Sequence, residues 1–255
     1  MNREEILRRV KALPGHIGLY VDTLDGEEPI AYQADEPIEA ASVIKLTVMA
    51  EAFRQREAGT FDFAAPVTIR PEDKLPSCGA LTYLHDGLTV QWGDLVTLMI
   101  ILSDNTATNL LIDRLGSEAI NGMIDSLCLT GTRLRRKLFQ PELAARGIIN
   151  TVTARDMGVL LMKLVQGEVV SAAASQEMMA LLYQQRLNGK LPFYLHGEGI
   201  RVAHKTGEDD GLTHDVGYIA AKRPCVVCFL SERTNVPRAE RAMQEIAALA
   251  AGVAL

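Results

Sequence analysis

The chain has 255 residues, of which 48% are hydrophobic and 23% are charged, and its formal net charge is −6 with an isoelectric point of about 5.5. This composition is typical of an ordinary globular protein with one large domain. The acidic balance argues against a nucleic-acid partner, which usually requires a basic face. The sequence contains no apolar run of 18 or more residues, so we predict neither a transmembrane helix nor a membrane partner.

The first ten residues carry charges of both signs and no long apolar stretch, which is unlike a signal peptide. We therefore expect a cytoplasmic protein, or a secreted one if the sequence has been trimmed. Cys225 and Cys228 form a Cys-x-x-Cys inside an apolar run, and no second pair at matched spacing accompanies them. They predict buried thiols rather than a zinc site, and no Gly-rich phosphate loop is present. No cofactor or metal is expected.

The predicted elements change in type along the chain. An amphipathic segment comes first and is followed by two strands around the turn signal Asp25-Gly26. Helical periodicity then dominates as far as residue 186, and Thr153 with Asp156 three residues later resembles a capping box. Predicted helices cover about 2–12, 42–58, 93–102, 106–114, 117–126, 172–186 and 237–251, with another after the capping box, and predicted strands cover about 17–24, 30–33, 200–206, 214–220 and 225–231.

Strands at both ends of the chain and helices in its middle predict an α+β fold. One antiparallel sheet is assembled from the two termini with flanking helices, and an all-helical lobe is inserted between them. We expect a single domain over 1–255, with an α/β lobe at about 1–40 and 190–255 and a helical lobe at about 41–189. A cleft between two such lobes is a usual place for a ligand.

The first segment that carries chemistry is Ser42-Val43-Ile44-Lys45, at the start of a predicted helix. Residues three apart lie on one helical face, so the hydroxyl and the amine are neighbours. A free serine hydroxyl is a poor nucleophile, and an amine that its surroundings keep neutral can take the proton from it. The backbone N–H groups of a helix start can also stabilise an oxyanion.

Two further segments gain meaning only together with the first. Ser103-Asp104-Asn105 interrupts an apolar helix, where the serine could relay a proton to a leaving nitrogen and the asparagine could bind a substrate carbonyl or Lys45. Lys205-Thr206-Gly207 stands at the end of a predicted strand. There the lysine and the hydroxyl can bind a carboxylate, while the glycine allows close approach of the backbone to a ligand.

In this order the three segments resemble the signature of the class A β-lactamases and penicillin-binding proteins, which is S-x-x-K, then S-D-N, then K-T-G. The resemblance covers nearly the whole chain, and residues 102–109 (LSDNTATN) are especially similar to a class A enzyme. It implies a β-lactamase-like fold and a serine hydrolase that acts on a small-molecule acyl substrate, a β-lactam or a related amide or ester. The oligomeric state stays open.

The resemblance also implies roles for individual residues. It makes Ser42 the acylated nucleophile, Lys45 its proton partner, Ser103 the donor to the leaving amine, and Asn105 the group that orients the substrate or Lys45. It makes Lys205 and Thr206, next to Gly207, the ligands of the substrate carboxylate, and the backbone N–H groups of Ser42 and Glu208 the oxyanion hole.

One part of the family pattern is missing. Class A enzymes activate the deacylating water with a loop glutamate, in the pattern Glu, Pro, two more residues and Asn. Aligned on Pro141, the Glu position holds Gln140; aligned without a gap on the preceding residues, it holds Leu138. A neutral amide is no general base at neutral pH, so we expect acylation of Ser42 with slow hydrolysis of the adduct, unless Glu142 substitutes on a reshaped loop.

Two alternatives follow from these departures. A D-alanyl peptide carboxypeptidase or penicillin-binding protein fits the three segments, but its substrates lie outside the cytoplasm. A non-hydrolytic β-lactam-binding domain fits the missing glutamate.

His214-Asp215 is interpreted as a sheet pair that faces solvent, with a place in the cleft as the alternative. Negative charge at Glu208, Asp209 and Asp210 should weaken the binding of a carboxylate substrate near Lys205.

Overall fold

A computed structural model describes residues 2–76 and 78–254 of the chain. The strands are β1 His16–Asp22, β2 Ile30–Tyr32, β3 Ile38–Glu39, β4 Pro66–Thr68, β5 Thr89–Gln91, β6 Thr151–Val152, β7 Arg201–Asp209, β8 Leu212–Ala220 and β9 Cys225–Glu232. The helices are α1 Arg3–Lys11, α2 Lys45–Glu57, α3 Trp92–Ile101, α4 Asn105–Leu115, α5 Ser117–Ser126, α6 Pro141–Ala145, α7 Ala154–Gln166, α8 Ala172–Leu182 and α9 Val236–Ala251. A 3-10 segment, Ala41–Ile44, leads into α2.

The main sheet has the strand order β2-β1-β9-β8-β7, and every neighbouring pair is antiparallel. Strands from the first 32 residues lie beside strands from the last 55, so both ends of the chain build one sheet. The helices α2 to α8 and two small two-stranded sheets, β3-β6 and β4-β5, come between them in sequence. The α+β class and the sheet assembled from both termini are therefore confirmed.

Both faces of the sheet are covered, which explains the continuous apolar run in β9. Successive side chains of a strand point to opposite faces. Cys225, Val227 and Phe229 pack with α1 and α9, whereas Val226, Cys228 and Leu230 join the larger core of the helical part. Both cysteines are fully buried, as predicted.

The hairpin of β7 and β8 is longer than the sequence predicted. We expected β7 to end at residue 206 and β8 to begin at 214, but the strands run to Asp209 and from Leu212, around a two-residue turn with Gly211 at φ +68°. Glu208 and Asp209 are acidic residues of a kind that is depleted in strands, so the sequence analysis ended β7 too early and did not recognise Asp210-Gly211 as the hairpin turn. Lys205-Thr206-Gly207 consequently lies inside a strand and not at its end.

The start of α7 matches its prediction only in part. The Thr153 hydroxyl accepts the N–H of Asp156 at 3.0 Å, as an N-cap should. The Asp156 carboxylate does not complete the capping box, because it accepts the Thr132 hydroxyl and the Gly131 N–H instead. Among the helices of the described ranges, none is long and apolar enough to cross a bilayer.

Candidate active site

A cleft of about 550 Å³ brings the three predicted segments together. Its lining includes Ser42, Ser103, Asn105, Thr206 and Glu208, which come from the start of α2, the α3–α4 turn and strand β7. These positions are 166 residues apart at their extremes, yet they face one space. The geometry therefore joins the groups that the sequence motifs nominated separately.

Ser42 is half-buried in the 3-10 segment Ala41–Ile44, which packs against β7. Gly207 makes this approach possible, because a Cβ at that position would press on the side chains of Val43 and His214. Ala41, the residue before the serine, has φ +40°, a strained conformation for a residue with a side chain. Strained backbone of this kind clusters at active sites, and here it aims the serine into the cleft.

Lys45 is fully buried beneath the cleft. Its Nζ donates to the Ser103 carbonyl at 2.7 Å and to Asn105 Oδ1 at 2.7 Å, and it lies 3.0 Å from Ser103 Oγ. Burial, and next the charge of Lys205, hold the pKa of Lys45 well below its ordinary value. A neutral amine in this place has a lone pair with which it can accept a proton.

Ser103 stands between two buried lysines. Its Oγ is 3.0 Å from Nζ of Lys45 and 3.0 Å from Nζ of Lys205. The residue has φ +56°, so its backbone is held in the left-handed region although it is not glycine. A hydroxyl with a nitrogen on each side can accept a proton from one and pass its own to a third group.

Asp104 holds the turn in place, and sequence reasoning gave it no role. One carboxylate oxygen caps α4 by accepting the Ala107 N–H at 2.9 Å. The other accepts the N–H groups of Ala80 and Leu81 at 2.7 and 2.9 Å, so it ties the 78–81 loop to the cleft. Gly79 is required there, because a Cβ would overlap this carboxylate. The signal that could have found Asp104 is an N-cap residue with a second free oxygen.

Thr206 lines the cleft, while the side chain of Lys205 is fully buried behind it. Nζ of Lys205 donates to the Thr206 carbonyl at 2.8 Å as well as to the Ser103 hydroxyl. Burial lowers the pKa of Lys205 to about 7, although the charge of Asp215 opposes this shift. Of the two, Thr206 is therefore the one that a group in the cleft can reach directly, and Lys205 lies in the layer beneath it.

The loop that should hold the deacylating base contributes no free carboxylate at the expected positions. Leu138 and Gln140 both line the cleft. Gln140 Oε1 accepts the Lys137 N–H at 2.9 Å, and Leu138 is fixed through its own N–H and carbonyl by the Asn109 side chain. Glu142 is exposed in α6 and is not among the cleft-lining residues, so its placement does not support it as a substitute base.

The interpretation of His214-Asp215 as a solvent-facing pair is wrong, since both side chains are fully buried. Nε2 of His214 donates to the Glu39 carbonyl at 2.8 Å, and Nδ1 accepts the Ser231 N–H at 3.0 Å. Burial lowers the pKa of His214 to about 4, which matches a neutral ring. Asp215 accepts from His204 Nδ1 at 2.9 Å. Both faces of the sheet are covered at this point, so neither of two successive side chains in the strand faces solvent.

The charged groups around the cleft are mostly acidic. Glu39 pairs with Arg136 at 3.1 Å, and Glu208 pairs with the buried Lys190 at 3.0 Å. Asp209 and Asp210 are exposed on the rim. Sequence reasoning also missed Lys190, because a single lysine in a predicted turn carries no pattern. In the described part of the chain, no three His, Cys, Asp or Glu side chains assemble into a metal-binding group.

Comparison with known proteins agrees with this geometry. A sequence model described as the β-lactamase enzyme family matches residues 2–253. A β-lactamase from Sphaerobacter thermophilus is similar in structure with a TM-score of 0.91 and 33% identity, over 99% of this chain and 98% of that one. The protein PBP-A has a TM-score of 0.86 and 28% identity, over 96% and 92%. An ancestral class A β-lactamase has a TM-score of 0.86 and 28% identity, over 97% of each chain. A mutant of PBP-A is known as an acyl-enzyme complex with penicillin G.

Proposed function

The chain belongs to the β-lactamase enzyme family, and we propose that this serine hydrolase forms an acyl-enzyme on Ser42 that it releases slowly. The observation that carries the proposal is the hydroxyl of Ser103, placed 3.0 Å from the nitrogens of both Lys45 and Lys205 in the cleft that Ser42 lines. This hydroxyl can pass the proton that the leaving nitrogen needs when the acyl group is transferred to Ser42. The cleft lining offers no carboxylate at the two loop positions where the family pattern expects a base.

Acylation begins when Ser42 Oγ adds to the carbonyl carbon of the lactam or ester, and the proton of the hydroxyl passes to the neutral amine of Lys45. The carbonyl oxygen becomes an oxyanion, for which the backbone N–H groups of Ser42 and Glu208 are the donors. The carbon–nitrogen bond of the lactam then breaks. The leaving nitrogen takes a proton from Ser103 Oγ, which is replaced from Lys45, and the acyl group stays on Ser42 as an ester.

The hydrogen bonds of Lys45 accommodate a neutral amine at the start of this sequence, and the burial of the side chain favours it. The Ser103 carbonyl and Asn105 Oδ1 can only accept, so they take the two hydrogens of a neutral amine. The lone pair remains for a hydroxyl proton. The low pKa of Lys45 arises from burial first, and the nearby charge of Lys205 adds to it.

Release of the acyl group requires a water molecule and a base to activate it. Leu138 and Gln140 line the cleft at the candidate positions for that base, and neither side chain can accept a proton at neutral pH. Glu39 and Glu208 line the cleft too, but each is paired with a cation. Asp209 and Asp210 also line it, but both are exposed to solvent at its rim. The acyl-enzyme should therefore persist.

The test is incubation with a chromogenic cephalosporin, with absorbance and intact protein mass followed together. We expect a burst of about one equivalent, a stable mass adduct, and loss of both in Ser42→Ala. Ser126→Ala is the matched control, because among residues 2–76 and 78–254 that hydroxyl bonds only within α5, to the Met123 carbonyl and sulfur, and it lies outside the cleft lining.

Other outcomes would change the proposal. Steady colour growth over many turnovers would contradict slow release and require another base. Absence of both colour and adduct would contradict β-lactam acylation, and D-alanyl peptides or esters would then be the substrates to test. An adduct that survives in Ser42→Ala would remove the nucleophile assignment.

A further inference from the structure

Lys190 is a buried cation that the acylation scheme does not use. It lies between α8 and β7, and its side chain is 4% exposed. Its Nζ donates to the carbonyls of Gly207 and His214 at 3.1 and 3.2 Å and pairs with Glu208 at 3.0 Å and, at the longer distance of 3.9 Å, with Glu240. Removing an ammonium from water is costly unless its donors are satisfied, and here three acceptors satisfy them. These contacts therefore fix the Lys190 ammonium beside the paired ends of β7 and β8.

Two of these acceptors lie at the peptide bond between Gly207 and Glu208. One is the carbonyl oxygen of that peptide, and the other is the carboxylate of Glu208. In a trans peptide the carbonyl and the N–H point in opposite directions. Lys190 holds the carbonyl end, so the Glu208 N–H is directed away from it. Strand β7 is the edge of the sheet, with β8 on one side only, and Glu208 lines the cleft.

We propose that Lys190 is a positioning residue for the oxyanion hole: it fixes the Gly207–Glu208 peptide so that the Glu208 N–H points at the carbonyl oxygen of the acyl substrate. The inference rests on the proposed acylation of Ser42. A cation on the carbonyl oxygen also polarises the peptide, which makes its N–H a stronger donor. Lys190 transfers no proton in this role, and its three donors stay where they are.

The alternative, direct contact of Lys190 with the substrate, is disfavoured by the same contacts. The ammonium has three donors, and two carbonyls and one carboxylate occupy them. The side chain is almost fully buried and is not among the cleft-lining residues. To reach a substrate it would have to leave these three partners and also Glu240.

The experiment compares Lys190→Met with Lys222→Met, in which an exposed lysine of the β8–β9 turn is changed. The probe is penicillin G carrying carbon-13 in its lactam carbonyl, and the acylation rate is followed by intact mass. Complete loss of an oxyanion donor slows catalysis about 10²- to 10³-fold. Because the N–H remains and only its aim and polarity change, we expect Lys190→Met to acylate about 10- to 100-fold more slowly, with Lys222→Met like the parent.

The infrared band of the labelled ester carbonyl separates positioning from a general loss of structure. Hydrogen bonds from an oxyanion hole lower the frequency of this band, so it should move to higher wavenumber in the Lys190→Met acyl-enzyme and stay in place in Lys222→Met. Lys190→Gln keeps a donor without the charge, and an intermediate shift is expected. If Lys190→Met does not fold, the Gln variant carries the same comparison.

Three results would overturn the inference. One is an unchanged rate and band in Lys190→Met. Another is a slower reaction that higher penicillin G concentration fully restores, with the band unchanged, since this indicates substrate binding. A parent protein that forms no adduct with penicillin G would instead refute the proposed function, before any variant is compared, and the inference would fall with it.

Discussion

A carboxylate at position 138 should convert slow release of the acyl group into turnover. Leu138 lines the cleft and is half-buried. The side chain of Asn109 accepts its N–H at 2.9 Å and donates to its carbonyl at 3.0 Å, so the backbone cannot move freely. A Leu138→Glu carboxylate would thus enter the cleft from a fixed base. Gln140 is less suited, because its side chain already binds the Lys137 N–H.

The size of the effect follows from the chemistry and the exposure of the site. A well-placed general base accelerates a reaction about 10²- to 10⁴-fold, which corresponds to roughly 3–5 kcal/mol of barrier. A half-buried position lets water keep the new carboxylate charged at pH 7. We expect deacylation to be about 100-fold faster or more. Acylation should slow by a smaller factor, because negative charge in the cleft favours the protonated form of Lys45.

The assay starts from acyl-enzyme preformed with penicillin G, removes the free drug, and follows the loss of the mass adduct. Leu138→Gln is the matched control, because it has the shape of the new side chain without a base. Gln140→Glu tests the other alignment. If Leu138→Glu releases penicillin no faster than Leu138→Gln, the assignment of this position to the deacylating water is refuted.

Three further predictions concern charge. Burial lowers the pKa of Lys205 to about 7, so its positive charge is lost as pH rises through that value. The acylation rate with an anionic β-lactam should therefore fall above pH 7, while the rate with an uncharged ester should not. Parallel pH profiles for the two substrates would contradict a role of Lys205 in binding the anionic group. The double variant Asp209→Asn, Asp210→Asn should raise the acylation rate with anionic β-lactams about two- to tenfold at low salt, and added salt should diminish this gain. A gain that does not depend on salt would contradict the electrostatic explanation. Burial holds the pKa of His214 at about 4 against an ordinary 6.5, so the unfolded chain binds more protons between these values; the free energy of unfolding should drop by roughly 3 kcal/mol from pH 6.5 to 4 in denaturant titrations, and His214→Gln should flatten the drop.

Local patterns predicted the buried elements of this fold well. The strongly apolar segments at about 93–102 and 225–231 correspond to α3 and β9 within a few residues of the expected ends. The motif order also predicted which residues share the cleft, because nucleophile, proton relay and binding strand must meet for acylation. Helix 172–186 ends earlier than predicted, at Leu182, and the hairpin of β7 and β8 is longer than predicted.

The sequence could not reveal groups whose role depends on contacts between distant segments. Lys190 meets Gly207 and His214 only after β7 and β8 pair, and nothing in residues 188–192 indicates a buried cation. His214 was misjudged for a related reason. Alternation in a strand indicates a solvent face only when one side of the sheet is open. Here Glu39 and the 3-10 segment Ala41–Ile44 cover that side.

The two halves of the reaction depend on structures of different rigidity. Lys45 and Ser103 are buried, and each hydrogen-bonds the other, so a change at either leaves an unpaired buried polar group and costs stability as well as acylation. Leu138 and Gln140 lie on a surface loop whose backbone is held elsewhere, by Asn109 and by Asn150, which bonds the backbone of the 135–136 segment at 2.7 and 3.0 Å. The Leu138 side chain can therefore change without loosening the loop, whereas the Gln140 side chain itself holds the loop by accepting the Lys137 N–H. In this scaffold we therefore expect a single substitution at Leu138 to decide between hydrolysis and a persistent acyl-enzyme, while the residues proposed to form the acyl-enzyme stay fixed.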